Sequence, residues 1–112
     1  MKVKFTDNKI FIKDENRAFL NATFCKNSKT IFIELLKVER DYRNKNVGTK
    51  VLKRSLEFFE KKGFQKVVLN VLPLDSNSLN LVQLKNFYKK HGFIESPQKA
   101  LSRPNLMIKY II

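Results

Sequence analysis

The first third of the chain shows the pattern of hydrophobic and polar positions that is typical of β-strands. A short apolar run at residues 10–12 is followed by the turn-forming segment 14–16, DEN. Residues 17–25 alternate, with apolar side chains at 18, 20, 22 and 24, and residues 30–38 are rich in Ile, Phe and Leu. The turns between these runs are short, which favours an antiparallel meander of strands.

The period changes after residue 46, and the remainder of the chain predicts helices alternating with strands. Apolar residues at 47, 51, 52, 56 and 59 lie on one face of a helix that ends at Gly63. A nearly continuous apolar run at 66–72 predicts a strand covered on both faces. A second helix is expected to start in the polar segment 75–78 and to run to about His91, before strands that begin at Phe93 and Leu106.

These elements predict the order β-β-β-α-β-α-β-β in one α+β domain that spans residues 1–112. The fold class is a mixed sheet, mostly antiparallel, flanked by two main helices. The strands before and after the first helix are expected to be parallel neighbours joined by a right-handed crossover. A chain of 112 residues is long enough to form one domain with its own hydrophobic core.

The excess of positive charge indicates which classes of partner the protein would attract. The chain has 23 Lys and Arg against 10 Asp and Glu, a formal net charge of +13 that attracts nucleic acid, anionic lipid or a phosphate-rich cofactor. Lysines outside the central loop look scattered, as on a solubilising surface that could also attract an acidic protein or RNA. One Cys and one His exclude an intrachain disulfide and the usual zinc site. No signal peptide or membrane span is visible, so the expected location is the reducing cytoplasm.

The segment between the long strand and the first helix is polar and basic. Residues 38–49 read VERDYRNKNVGT, and Gly48 stands in the first turn of the helix. Free backbone amides at a helix start, together with the positive end of the helix dipole, bind phosphate oxygens, and Gly lets the backbone approach closely. The alternative interpretation is a helix that merely carries a solvated basic face.

Two motifs, in this order, resemble signatures of the GNAT (GCN5-related N-acetyltransferase) superfamily. The sequence RNKNVG from Arg43 to Gly48 resembles the Arg/Gln-x-x-Gly-x-Gly/Ala motif of that family. The sequence FYKKHGF from Phe87 to Phe93 resembles the family's second motif. The resemblance covers about residues 30–112 and includes the order and spacing of the elements between the motifs.

The resemblance implies direct transfer of an acetyl group from acetyl-CoA to an amine, with no covalent enzyme intermediate and no metal. Backbone groups at Leu36 and Val38 would bind the pantetheine arm. Tyr88 would protonate the departing thiolate, and Glu34 would act as the base for the amine or, alternatively, only face solvent. Amides of the first-motif loop would hold the pyrophosphate. That loop consists of Arg43, Asn44, Lys45, Asn46, Val47, Gly48 and Thr49.

The sequence departs from the family pattern in three ways. Asn46 replaces a Gly, although Asn tolerates the positive φ that the loop needs. Leu81 and Leu84 stand where the family has Asn and Ala, and Asn80, the candidate pantetheine contact, is shifted by one residue. The N-terminal helices that wall the acceptor site in the family are missing. The acceptor site would therefore be unusually open, completed by a second subunit in a homodimer, or no longer catalytic.

Two other functions stay open from the sequence. One is a basic nucleic-acid-binding module that shares only the strand-to-helix layout, and the other is a GNAT-type domain that binds acetyl-CoA without turnover. The amine acceptor also stays open, from a small amine or polyamine to a protein N-terminus, a lysine side chain or an aminoacyl-tRNA.

Aromatic and histidine side chains in the second half of the chain have structural interpretations. His91 is expected to be a positively charged capping residue, because a helix C-terminus favours the charged form. Five phenylalanines are expected to pack in the core rather than to form a base-stacking platform on one sheet face. They are Phe58, Phe59, Phe64, Phe87 and Phe93.

Overall fold

Seven strands in one sheet and two α-helices make up the described part of the chain. The computed structural model describes residues 1–43, 45–73, 79–97 and 103–111. The strands are β1 (Lys2–Phe5), β2 (Lys9–Asp14), β3 (Ala18–Cys25), β4 (Thr30–Val38), β5 (Lys66–Asn70), β6 (Ile94–Glu95) and β7 (Leu106–Tyr110). The helices are α1 (Val47–Lys61) and α2 (Leu81–Lys90), and a 3-10 turn spans Arg40–Tyr42.

The order of strands across the sheet is β1-β2-β3-β4-β5-β7-β6. Strands β4 and β5 are parallel, whereas the other neighbouring pairs are antiparallel. This arrangement confirms the predicted meander, the mixed sheet and the parallel pair on either side of α1.

The edge strand β1 is the element that the sequence pattern did not predict. All four of its residues are exposed, and its sequence, KVKF, is too short for its alternation to stand out. It pairs with β2 along its whole length. The ring of Phe5 lies 4.9 Å from that of Phe24 and 6.4 Å from that of Phe58, so an aromatic contact supplements the backbone pairing.

Both helices pack on the same side of the sheet, which we call the helical face. Strand residues such as Ile10 and Ile12 alternate onto this face and share one hydrophobic core with Val51 and Phe59 of α1 and Tyr88 of α2. Val51 and Phe59 are 0% exposed. Each fully buried side chain of this size contributes about 1.5–3 kcal/mol, so the amphipathic pattern that predicted α1 also supplies much of its stability.

The predicted aromatic packing is confirmed for the phenylalanines of the second half. Phe59, Phe64 and Phe93 are buried, and Phe58 and Phe87 are partly buried against the same core. The rings of Phe24 and Phe64 lie 5.5 Å apart in an edge-to-face arrangement, which joins the meander to the end of α1.

The helix ends follow local capping rules. After α1, Gly63 has φ of 87°, and the amide of Phe64 donates to the carbonyl of Phe59 at 3.1 Å, which confirms the predicted stop at Gly63. The predicted start of α2 within 75–78 is wrong, and those four positions lie outside the described residues. Helix α2 instead begins after Asn80, which forms a capping box with Gln83. None of the described helices is long and apolar enough to cross a membrane.

Candidate active site

The parallel strands β4 and β5 separate partway along their length. Their pairing starts at Thr30 and Lys66 and ends at Ile33 and Leu69, and β4 then continues to Val38 beside β3 alone. One backbone edge of β4 therefore has no strand partner, within the described residues, over positions 34–38. Such an edge can pair with an extended ligand that carries amide groups.

A cleft with a volume of about 170 Å³ occupies this opening. Glu34, Leu36 and Tyr88, three of the predicted site residues, line it together, so the structure brings them into one place. Most of the other lining side chains are apolar. The complete lining is Ile33, Glu34, Leu35, Leu36, Leu69, Asn70, Val71, Leu72, Leu84 and Tyr88.

A β-bulge lies at the mouth of the cleft. In the pairing of β3 with β4, Asn21 opposes Leu35 and Ala22 opposes Ile33, so Glu34 is the extra residue. The bulge shifts the alternation of side chains along β4. As a result, Leu36 rather than Leu35 follows Ile33 on the helical face. The sequence contains a sign of this shift, because the charged Glu34 interrupts an otherwise apolar run and is followed by two consecutive leucines.

Tyr88 reaches the cleft from α2 and is 7% exposed. Its ring packs edge-to-face against Phe87 at 5.2 Å and Phe93 at 5.6 Å, which fixes its position. Burial raises the pKa of Tyr88 to about 12, because the apolar surroundings disfavour the phenolate. At neutral pH the hydroxyl is therefore protonated and can donate a hydrogen bond into the cleft.

Glu34 lines the same cleft but is exposed to solvent. The Glu34 carboxylate is therefore a solvated hydrogen-bond acceptor, whereas the Tyr88 hydroxyl is a buried donor. This pairing can accept a proton on the solvent side of the cleft and supply one on the buried side.

The first-motif loop packs against the end of β4. Arg43 Nε donates to the carbonyl of Val38 at 3.1 Å, which holds the loop beside the strand edge that faces the cleft. Lys45 is exposed, and its ammonium lies 6.0 Å from the centroid of the Tyr42 ring. Asn44 lies outside the described residues, so its predicted role stays a prediction.

Helix α1 begins with a left-handed residue. Asn46 has φ of 61° and ψ of 17°, which confirms that Asn can hold the positive φ for which the family uses Gly. Its side chain makes no capping hydrogen bond, and the first turn of α1 contains no acidic residue. The backbone amides of Val47, Gly48 and Thr49 have no protein acceptor among the described residues.

Gly48 has a packing role that the sequence interpretation did not include. A Cβ at this position would lie 3.2 Å from Val38 Cγ2 and 3.8 Å from the edge of the Phe87 ring. The absence of a side chain therefore lets the start of α1 approach both β4 and α2. Val47 beside it is buried in the core, whereas Thr49 is half-buried at the surface.

The other predicted site residue, Asn80, lies at the N-terminus of α2. Its Oδ1 accepts from the Gln83 amide at 2.9 Å, so this oxygen is engaged in capping the helix. A pantetheine contact at Asn80 stays a prediction, and it would use the amide nitrogen of the side chain.

Asn70 is a polar cleft residue that the sequence analysis did not single out. Its Oδ1 accepts from the backbone amide of Asn105 at 3.1 Å, which ties the end of β5 to the segment before β7. A usable signal was present, because Asn70 interrupts the otherwise apolar end of the run KVVLNVL.

The expectation that His91 is positively charged is wrong. His91 is the C-cap of α2, as predicted, but burial lowers its pKa, and the nearby ammonium groups of Lys53, Lys109 and Lys90 lower it further. Lys109 Nζ also donates to the His91 carbonyl at 2.7 Å. Burial, together with these lysines, therefore outweighs the helix dipole, which alone would favour the charged form.

The backbone groups of this site suit an extended ligand that carries phosphate. The described residues contain no group of three or more His, Cys, Asp or Glu that could hold a metal ion. The amides at the start of α1 can donate hydrogen bonds to phosphate oxygens, and the unpaired edge of β4 can pair with an amide-bearing arm along the apolar cleft.

The family assignment rests on a match that extends over most of the chain. The sequence profile of the acetyltransferase (GNAT) family matches residues 6–93. The chain belongs to this family. No curated protein matches the sequence.

Solved structures of GNAT acetyltransferases share the fold of this GNAT protein. PaiA N-acetyltransferase from Thermoplasma acidophilum, solved in complex with coenzyme A, aligns with a TM-score of 0.66 and 20% identity over 92% of this chain. The ribosomal-protein-S18-alanine N-acetyltransferase from Escherichia coli aligns with a TM-score of 0.70 and 15% identity, over 96% of this chain and 72% of its own. At these identities the likeness shows the fold alone.

The chain is short beside several of these structures. It spans 58% of the length of the Thermoplasma enzyme. The anti-CRISPR protein AcrVA5 has a similar extent: it aligns with a TM-score of 0.72 and 16% identity over 90% of this chain and 97% of its own.

Proposed function

We propose that this GNAT protein is an acetyl-CoA-dependent N-acetyltransferase that transfers the acetyl group directly to an amine. The observation that carries the proposal is the opening between β4 and β5, where a buried, protonated Tyr88 and an exposed Glu34 line the same mainly apolar cleft. The coenzyme A complex of the Thermoplasma relative supports the choice of cofactor.

The chain would hold the cofactor through backbone groups. The amides of Val47, Gly48 and Thr49 would donate to the diphosphate, with the dipole of the 15-residue helix α1 behind them. The edge of β4 near Leu36 and Val38 would pair with the amides of the pantetheine arm. Acetyl-CoA would supply the activated thioester at the end of this arm.

The Tyr88 hydroxyl would donate a hydrogen bond to the thioester sulfur as negative charge develops there. The Tyr88 phenol, whose pKa is raised to about 12, is a weaker acid than a thiol, whose ordinary pKa is about 8.5. Tyr88 would therefore stabilise the leaving thiolate mainly as a hydrogen-bond donor. The new C–N bond would form as the C–S bond breaks, and the nitrogen would lose a proton while the thiolate gains one, so that the products are a neutral amide and a free thiol.

Glu34 would receive a proton from the attacking amine, which has no lone pair while it is protonated. Its exposure makes transfer through a water molecule compatible with the site. This role differs from that of Tyr88, because Glu34 acts on the acceptor and Tyr88 acts on the leaving group.

Thermal melting with acetyl-CoA tests the proposal. A ligand at 100 times its Kd stabilises the folded state by about 2.7 kcal/mol, which raises the Tm of a domain of this size by on the order of 10 °C. We expect this rise with acetyl-CoA but not with S-acetyl-pantetheine, which lacks the diphosphate. Release of free thiol on addition of an amine panel then measures turnover. An unchanged Tm with acetyl-CoA would contradict the proposal.

A further inference from the structure

The side of the sheet opposite the helical face has its own chemical character. Val68 and Ile108 pair directly across β5 and β7 and are buried, yet neither belongs to the core that contains the helices. They therefore mark the second side. Because directly opposed residues in neighbouring strands share a side, the strand register identifies the other residues on it.

Six lysines share this second side, which we call the lysine face. They alternate with helical-face residues along β1, β2, β4 and β5, and the register places them on a common side. They are Lys2, Lys4, Lys9, Lys13, Lys37 and Lys66. Four of them, Lys2, Lys4, Lys9 and Lys13, look scattered along the sequence, but the fold gathers them on β1 and β2.

The lysine face carries little negative charge in its described strands. Asp14 of β2 is buried on the helical side, where it bonds to Arg17 at 2.9 Å. Glu34 is the bulge residue at the cleft. Lys37 Nζ lies 3.9 Å from Glu39 Oε1 just beyond the end of β4, and both side chains are exposed, so this pair is weak.

Aromatic rings lie between these lysines. Phe11 opposes Lys4, Phe19 opposes both Lys13 and Lys37, and Tyr110 opposes Lys66. The Phe11 and Phe19 rings lie 5.7 Å apart with an interplanar angle of 27°. Tyr110 is 59% exposed.

From this alternation we infer that the lysine face binds single-stranded nucleic acid. Ammonium groups can follow a phosphate backbone while neighbouring aromatic faces receive unstacked bases, which is the combination that such ligands require. An acidic protein would satisfy the lysines but would leave the ring faces without a planar partner. A second copy of this chain would bring like charges together.

Fluorescence anisotropy with a labelled, single-stranded oligouridylate tests the inference. The protein is titrated at about 50 mM and about 200 mM salt, where binding through phosphates differs steeply. The test variant carries Lys4→Gln, Lys9→Gln and Lys13→Gln. The matched control carries Lys61→Gln, Lys89→Gln and Lys90→Gln, which remove the same charge from the two helices on the other side of the sheet.

We expect binding that weakens steeply with salt. Because each phosphate contact to a single strand contributes about 0.7 to the slope of log K against log salt, the test variant should lose about 2 units of slope and the control much less. Tyr110→Ala should weaken binding at least about fivefold, since a base loses its stacking partner. Melting curves establish that each variant is folded.

Three outcomes would overturn the inference. The wild-type protein could fail to bind at the lower salt concentration, or the control variant could lose as much slope as the test variant. Unlabelled polyglutamate of matched charge could also displace the oligouridylate as well as unlabelled RNA does, which would point to an acidic protein instead. None of these measurements involves acetyl-CoA, so their failure is distinguishable from failure of the proposed acetyltransferase function.

Discussion

At the scale of single residues, Tyr88 shows how the fold changes the chemistry of a side chain. A tyrosine on a helix surface would have an ordinary pKa near 10, but here apolar neighbours raise the pKa to about 12. The neutral form is thus favoured in the folded state. This contribution to stability is complete below pH 10 and is lost as the pH rises from 10 to 12.

We expect Tyr88→Phe to lower kcat about 10²- to 10³-fold, the range for the loss of one positioned hydrogen-bond donor to developing negative charge. The affinity for acetyl-CoA should change little, because the proposed diphosphate and pantetheine contacts use backbone groups elsewhere. Steady-state kinetics and a cofactor titration measure the two quantities separately. Phe87→Leu serves as a control for disturbed packing next to Tyr88. Equal kcat in Tyr88→Phe and the wild type would refute the assignment.

The same substitution has a second readout in alkaline solution. The absorbance of tyrosinate in the wild type minus that in Tyr88→Phe should rise with a midpoint near pH 12, the value to which burial raises the pKa. A midpoint near 10 would mean that the side chain is solvated, and it would remove the basis for its protonated role.

At the scale of elements, the junction between β4 and α1 contributes both to the packing of α1 on the sheet and to the proposed cofactor site. The loop is held to β4 by Arg43, the helix starts at a left-handed Asn46, and Gly48 permits close contact with Val38. For this reason a bulky replacement of Gly48 would disturb the packing as well as the proposed cofactor site. Thr49 is the better position for a test, because it is half-buried in the same turn.

Thr49→Asp should separate helix stability from cofactor binding. An acid in the first turn of α1, where none exists now, interacts favourably with the helix dipole and should raise the free energy of unfolding by about 0.3–1 kcal/mol. The same carboxylate should repel a diphosphate and weaken acetyl-CoA binding about tenfold or more. Thr49→Asn is the matched neutral control, and melting with and without acetyl-CoA measures both effects. Equal acetyl-CoA affinity in the two variants would place the diphosphate elsewhere.

The sequence predicted elements whose signals are local. The 3.6-residue period, the stop at Gly63 and the tolerance of Asn46 for positive φ are properties of a few neighbouring residues, and the structure confirms all three. The start of α2 was misplaced because four polar residues at 75–78 looked like caps, whereas the reciprocal bonds of Asn80 and Gln83 select the true start.

Features that depend on distant contacts were not predictable in the same way. The lowered pKa of His91 arises from burial and from Lys53 and Lys109, which are far away in sequence. Only the family resemblance could predict that Glu34 and Tyr88 line one cleft, because no rule of sequence spacing relates a residue of β4 to a residue of α2. The grouping of lysines on one face required the strand register, including a strand that was not predicted at all.

At the scale of the whole molecule, a net charge of +13 is confined within 38 × 33 × 22 Å. Such a charge opposes the compact state through self-repulsion. Part of it lies on the lysine face, where Lys2 and Lys13 are directly opposed across β1 and β2. Like charges in this position are destabilising. A polyanionic ligand would relieve this repulsion. Both proposed ligands, acetyl-CoA and single-stranded nucleic acid, are negatively charged and would be attracted by the same excess of positive charge.

Sodium chloride should therefore stabilise the protein without any ligand. The Debye length falls from about 30 Å at 0.01 M to about 10 Å at 0.1 M, so added salt screens the repulsion across the whole molecule. We expect the Tm to rise over this range by a few degrees. The variant with Lys4→Gln, Lys9→Gln and Lys13→Gln should have a higher Tm than the wild type at low salt and a smaller rise, because part of the repulsion is already removed. A Tm that is flat or falls as sodium chloride is added would show that other interactions outweigh self-repulsion.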